Sequence, residues 1–148
     1  MSDLYQTDFA LWSARQAETL RSAARERSNA GVDWEHVAEE IESLGASERR
    51  SLASHVRTVI EHLMKLHASP ADYPRDSWRS TIRRVRTDIE DIIEASPSLR
   101  RELPDIISHE EARARRLVMD DMADRGEDTS GLDALTFDAD HVLGPWLP

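Results

Sequence analysis

A chain of 148 residues with formal net charge -10, 39% hydrophobic and 32% charged residues has the balance of a water-soluble helical domain, long enough to bury roughly 70% of its unfolded surface in one core. No apolar run approaches the roughly 20 residues of a membrane span, and the start MSDLYQTDFALWSAR lacks a basic segment followed by an apolar one, so a cytoplasmic protein is expected. The absence of cysteine excludes disulfides, thiolate metal sites and cysteine nucleophiles.

In chain order, the first helix starts at Thr7 or Asp8, a suitable N-cap, and runs to about Arg27 with Phe9, Trp12, Gln16, Leu20 and Ala24 on one face. Ser28-Asn29-Ala30-Gly31 reads as a turn. Asp33 then caps a second helix with Trp34, Val37, Ala38, Ile41 and Leu44 inward, which Gly45 ends or kinks. A third helix spans about Ser47 to Ala68, burying Leu52, Val56, Val59, Ile60, Leu63, Leu66 and His67. Pro70 and Pro74 stop it, and Asp76 or Ser77 opens a fourth helix to about Ala95 with Trp78, Ile82, Val85, Ile89, Ile92 and Ile93 in register. The third and fourth helices are expected to pack antiparallel as a hairpin.

Ser96-Pro97 opens a short turn of helix through Leu103. A fifth helix from Pro104 to about Asp124 places Leu103, Ile106, Ile107, Ala114, Leu117 and Val118 inward and ends at Arg125-Gly126. The rest lacks helical periodicity. Between Asp120 and Asp140 eight acidic residues face Arg125 alone, so this stretch holds seven of the ten net negative charges and the body is nearly balanced. The expected fold is therefore all-α: one domain over residues 1–148, a bundle of about five helices over about 7–125, and an irregular acidic tail over about 126–148.

The segments EEIESLGASERRSL, HLMKL, SWRSTIRRVR and SPSL, in that order and spacing, resemble the bacterial family catalogued as domain of unknown function 29. The resemblance extends from Tyr5-Gln6-Thr7-Asp8-Phe9 to the ending Gly144-Pro145-Trp146-Leu147-Pro148, and this chain departs from the family at Leu66-His67, where Lys-Trp is usual. It implies a compact helical bundle and directs interest to His62, Lys65, Trp78, Arg79, Thr81, Arg86 and Ser96-Pro97-Ser98-Leu99. It names no activity.

Three constellations carry possible chemistry. His55 and His62 share an edge of the third helix, yet two turns, about 10.5 Å, separate them, whereas helical metal pairs stand three or four residues apart. A metal there needs Glu110 or His109 from another helix; otherwise both are boundary histidines. His36 points to solvent. Glu110 lies within the apolar stripe of the fifth helix, with Asp121 on nearly the same face. A buried carboxylate needs a partner, and an arginine that fixes packing explains it better than acid-base catalysis, for which no nucleophile or oxyanion loop is present.

Arg75, Arg79, Arg83, Arg84 and Arg86 crowd the start of the fourth helix beside Tyr73 and Trp78, and Arg79, Arg83 and Arg86 form one stripe. Such a stripe suits phosphates or single-stranded nucleic acid. The competing account pairs it with Glu90 and the Glu39-Glu40-Glu42 cluster and packs Trp78 into the core. Ser47, Ser77, Ser80 and Ser96 read as caps. These residues favour a non-enzymatic interaction or regulatory protein that meets a protein partner or its own copy, needs no cofactor, and uses a polar site around His62, Lys65, Trp78, Arg79, Arg83 and Arg86. The alternatives are a metal-dependent hydrolase or transferase in the bundle core and a nucleic-acid or anion binder using the arginine stripe.

Overall fold

A computed structural model describes residues 3–26 and 31–148. Its helices are α1 (Leu4–Thr7), α2 (Phe9–Glu26), α3 (Trp34–Ala68), α4 (Arg75–Ala95), α5 (Leu103–Asp124) and α6 (Ala139–Leu143), with a 3-10 helix at Pro97–Glu102 before α5. The fold is all-α, and no strand occurs among the described residues. The expected end of the first helix at Arg27 and the turn residues Ser28, Asn29 and Ala30 lie outside the described residues. The chain divides into two compact units, Met1–Ser51 with Ile92–Arg100, and Leu52–Asp91 with Arg101–Pro148.

In the first unit α2 meets the N-terminal half of α3 through small residues: Ser13, Ala17 and Ala38 are fully buried. Here the structure corrects the sequence reading, because α3 runs through Gly45 without ending and joins two expected helices into one of 35 residues. Gly45 serves close approach. A methyl group on its Cα would stand 2.9 Å from Ser13 Oγ and 3.1 Å from the Ala10 carbonyl oxygen. The Ser13 hydroxyl donates to the Ile41 carbonyl and accepts the Gly45 N–H at 3.1 Å, bridging one step of the α3 backbone ladder. The apolar face of this part of α3 is also narrower than expected, since Val37 and Leu44 are exposed rather than inward.

Asp8 begins α2 as expected and does more. Its carboxylate accepts from Leu11 N at 3.0 Å as an N-cap, and from Ser98 N at 2.6 Å and Ser98 Oγ at 2.8 Å. Ser96 was expected to cap its own helical turn. Its hydroxyl accepts the Ala10 N–H at 3.0 Å instead, satisfying a second free donor of α2. The Asp8-Phe9 and Ser96-Pro97-Ser98 motifs are thus two halves of one junction.

In the second unit Leu52, Val56, Ile60, Leu63 and Met64 of α3 share a core with Ile82 and Ile89 of α4 and Ile106, Val118 and Met122 of α5, all essentially inaccessible. Trp78 is buried with them. His67, expected on the apolar face of α3, is exposed. On α5 every fourth residue from Ile106 to Met122 is buried. Four residues advance 40° beyond a full turn, so this stripe winds away from Leu117, which was expected inward and is 48% exposed.

After α5, Gly126 takes φ 71°. Its N–H reaches the Ala123 carbonyl and that of Glu127 reaches the Met122 carbonyl, both at 2.9 Å, a Schellman stop. The acidic segment is irregular apart from the short helix α6. Leu132 and Val142 are fully buried within the unit, and α6 is opened by Asp138, whose carboxylate accepts from His141 N at 3.0 Å.

Candidate functional site

In the second unit Arg57, Glu61 and Lys65 recur every four residues along α3 and so form one charged row. The facing row belongs to α5. Glu110, 3% exposed, accepts from Arg57 at 3.0 Å and lies 3.5 Å from Arg113. Lys65 donates to Asp121 at 2.7 Å, and Arg57 stands 3.7 Å from Glu61. Burial of Glu110 is thereby compensated by two guanidinium groups, as a carboxylate inside a core requires. Burial pushes the Glu61 carboxyl above its ordinary range, while the Lys65 hydrogen bond holds Asp121 below its own.

His62 borders this row without joining it. Its Nδ1 donates to the Thr58 carbonyl at 2.8 Å, one helical turn back, and burial lowers its pKa more than that bond raises it. His55 and Glu110 do not gather around His62. Among the described residues no group of three or more His, Cys, Asp or Glu side chains is arranged to hold a metal ion.

On α4 the arginines separate. Arg75 donates to the Ser69 carbonyl at 3.1 Å and to the Leu66 carbonyl, placing a cation at the end of α3. Arg79 pairs with Asp76 at 3.3 Å across one turn. Arg83 and Arg84 are exposed. Arg86 is buried, and its guanidinium donates to three carbonyls: Val142 at 2.9 Å, His141 at 2.7 Å and Trp146 at 2.8 Å. These carbonyls hold it in place of Glu90. Of the expected acidic cluster, Glu42 binds Arg21 of α2 at 2.7 Å within the first unit.

One feature escaped the sequence reading. Arg57, Arg113, Arg116, Leu117 and Asp120 line an open groove of about 430 Å³ on the second unit. The three-, four- and seven-residue spacing of Arg113, Arg116, Leu117 and Asp120 along α5 is the signal in the sequence that marks its wall.

These features define a cysteine-free helical protein whose buried charged side chains, Asp8, Arg86 and Glu110, are each held by hydrogen bonds or ion pairs. The chain belongs to the family described as Domain of unknown function DUF29, which matches residues 4–141. Among solved structures it is similar to an alpha-helical protein of unknown function from Rhodospirillum rubrum ATCC 11170, with 27% identity, a TM-score of 0.79 and coverage of 98% of this chain and 92% of that one. No curated protein matches. No helix among the described residues is long and apolar enough to cross a membrane.

Proposed function

We propose that this chain is a non-enzymatic interaction protein whose contact face lies on the first half of α3. The observation that carries this reading is the exposure of Val37 and Leu44, 39% and 50%, each standing one residue before a buried position of the helix, Ala38 and Gly45. Seven residues apart, they lie about 20° apart around the helix and make one apolar strip. Tyr5, 54% exposed and edge-on to Trp12 at 4.8 Å, adds a large apolar group to the same unit. Ile41, partly exposed, lies between Val37 and Leu44, and contiguous apolar surface left in water is a mark of a protein contact.

The partner that can be supplied without prior identification is a second copy of the chain. Sedimentation equilibrium across a hundredfold concentration range should show a reversible dimer for the wild type and a monomer for Val37→Asp with Leu44→Asp. A wild type that stays monomeric throughout, and whose surface at Val37 and Leu44 is unprotected in lysate, would sink the reading.

A further inference from the structure

We propose that the groove lined by Arg57, Arg113, Arg116, Leu117 and Asp120 binds a small oxyanion, phosphoryl or carboxylate, carried on an apolar body. This site is independent of the α3 contact face. Two of its lining arginines are held by the buried carboxylate of Glu110, which engages Arg57 at 3.0 Å and Arg113 at 3.5 Å through one terminal nitrogen of each. A guanidinium has five N–H donors in a rigid plane, so Arg113, with its one contact, and Arg57, whose Nε also faces Glu61 at 3.7 Å, both keep donors for a ligand. Arg57 is also only 28% exposed, which limits the rotamer freedom lost on binding.

Arg116 supplies the cation that no carboxylate engages. It lines the same groove, is exposed, and makes no ion pair or hydrogen bond among the described residues. Three arginines against Glu61, Glu110 and Asp120 leave the surroundings of this groove without net charge, on a chain whose net charge is -10. Long-range attraction of anions is therefore not the origin of such a patch, and short-range donor geometry has to provide the recognition. Leu117 sets the rest of the ligand. Exposed beside three guanidinium groups, it offers apolar contact next to the anion position, favouring an anion with an apolar substituent over a bare one.

The test is titration of the 15N-labelled full chain with phenyl phosphate, benzoate, inorganic phosphate and benzyl alcohol, read at the residues of the groove. Saturable shifts at Arg57, Arg113, Arg116 and Leu117 are expected with phenyl phosphate or benzoate, whichever oxyanion fits, at an affinity about tenfold above inorganic phosphate. Benzyl alcohol should give none. Arg116→Glu, at an exposed position, should weaken binding by at least about tenfold, whereas Arg84→Glu, equal in charge change but on α4, should leave it unaltered. Leu117→Ser should erase the preference over inorganic phosphate. Absence of saturation with both aromatic anions up to about 20 mM, or equal affinities for the two charge variants, would overturn the proposal.

Discussion

Arg86 shows how much of a molecule can depend on a single side chain whose role is invisible in its local sequence. Two of its acceptors, the carbonyls of His141 and Val142, belong to the last turn of α6, and the third is that of Trp146. Helix-terminal carbonyls lack intrahelical partners and carry partial negative charge, so a fork of cationic donors is well matched to them. Burial shifts the Arg86 pKa downward, yet a guanidinium keeps its proton in proteins, so the site always holds a cation. Arg86→Ala would leave three acceptors without this donor. We expect a loss on the order of 3 kcal/mol in urea unfolding, with faster amide exchange over residues 139–147. Arg86→Lys restores the charge but not the planar fork, and should recover only part of the loss. Unchanged exchange in the alanine variant would show that Val142 and Leu132 alone hold the segment.

At the scale of elements, α3 is where sequence pattern and structure part most clearly. Glycine is about 1 kcal/mol worse than alanine inside a helix, and the pattern break at Gly45 reads as a terminus. The structure shows why the position tolerates that cost: Ser13 Oγ occupies the space a side chain would fill and takes the Gly45 N–H. Gly45→Ala should therefore destabilise the protein by about 1–3 kcal/mol, because overpacking against Ser13 and the Ala10 carbonyl outweighs the gain in helix propensity. Ser13→Ala leaves Cβ in contact at 3.0 Å, so the double variant should not recover wild-type stability. Thermal melts of the three variants decide this; a Gly45→Ala protein more stable than wild type would refute it. The contrast explains what was legible. Isoleucines and leucines at three- and four-residue intervals announce the helices, and Pro70, Pro74 and Gly126 announce turns through their own backbone constraints. Gly45, Leu117 and Arg86 depend on residues 32 to 60 positions away or on how a stripe winds along a helix, and no local pattern encodes that. The same holds for the candidate sites. Lys65 and Trp78 were visible as residues of interest, but that Lys65 closes a row with Asp121 while Arg57 and Arg113 flank Glu110 emerges only when α3 lies beside α5.

Across the whole molecule, stability against pH follows from opposing groups. His62 has a folded-state pKa below the ordinary value of about 6.5, so the unfolded chain binds its proton more readily. Its contribution is present above that value and is lost as pH falls through the folded pKa. His36 acts in the opposite sense. Asp33, in contact at 2.5 Å, raises its pKa, so that pair contributes most below the ordinary value and fades as pH rises. The two effects need not cancel, because the His36 pair is exposed and solvent screening leaves it little net worth, whereas the His62 shift arises from burial within the second unit. Glu61 also works against His62: burial raises its pKa, so its ionisation costs stability as pH rises through the folded value. Relief of the net charge of -10 on acidification is shared by any variant and drops out of a comparison. The decisive measurement is thus the difference between wild type and His62→Gln in melts from about pH 7.5 to 5.5. The wild-type melting temperature should fall relative to that of the variant across this interval, while His36→Gln should shift the difference in the opposite direction by a smaller amount. Parallel pH curves for wild type and His62→Gln would show that the His62 ring reaches water before it protonates, and would remove desolvation at α3 as the source of acid sensitivity.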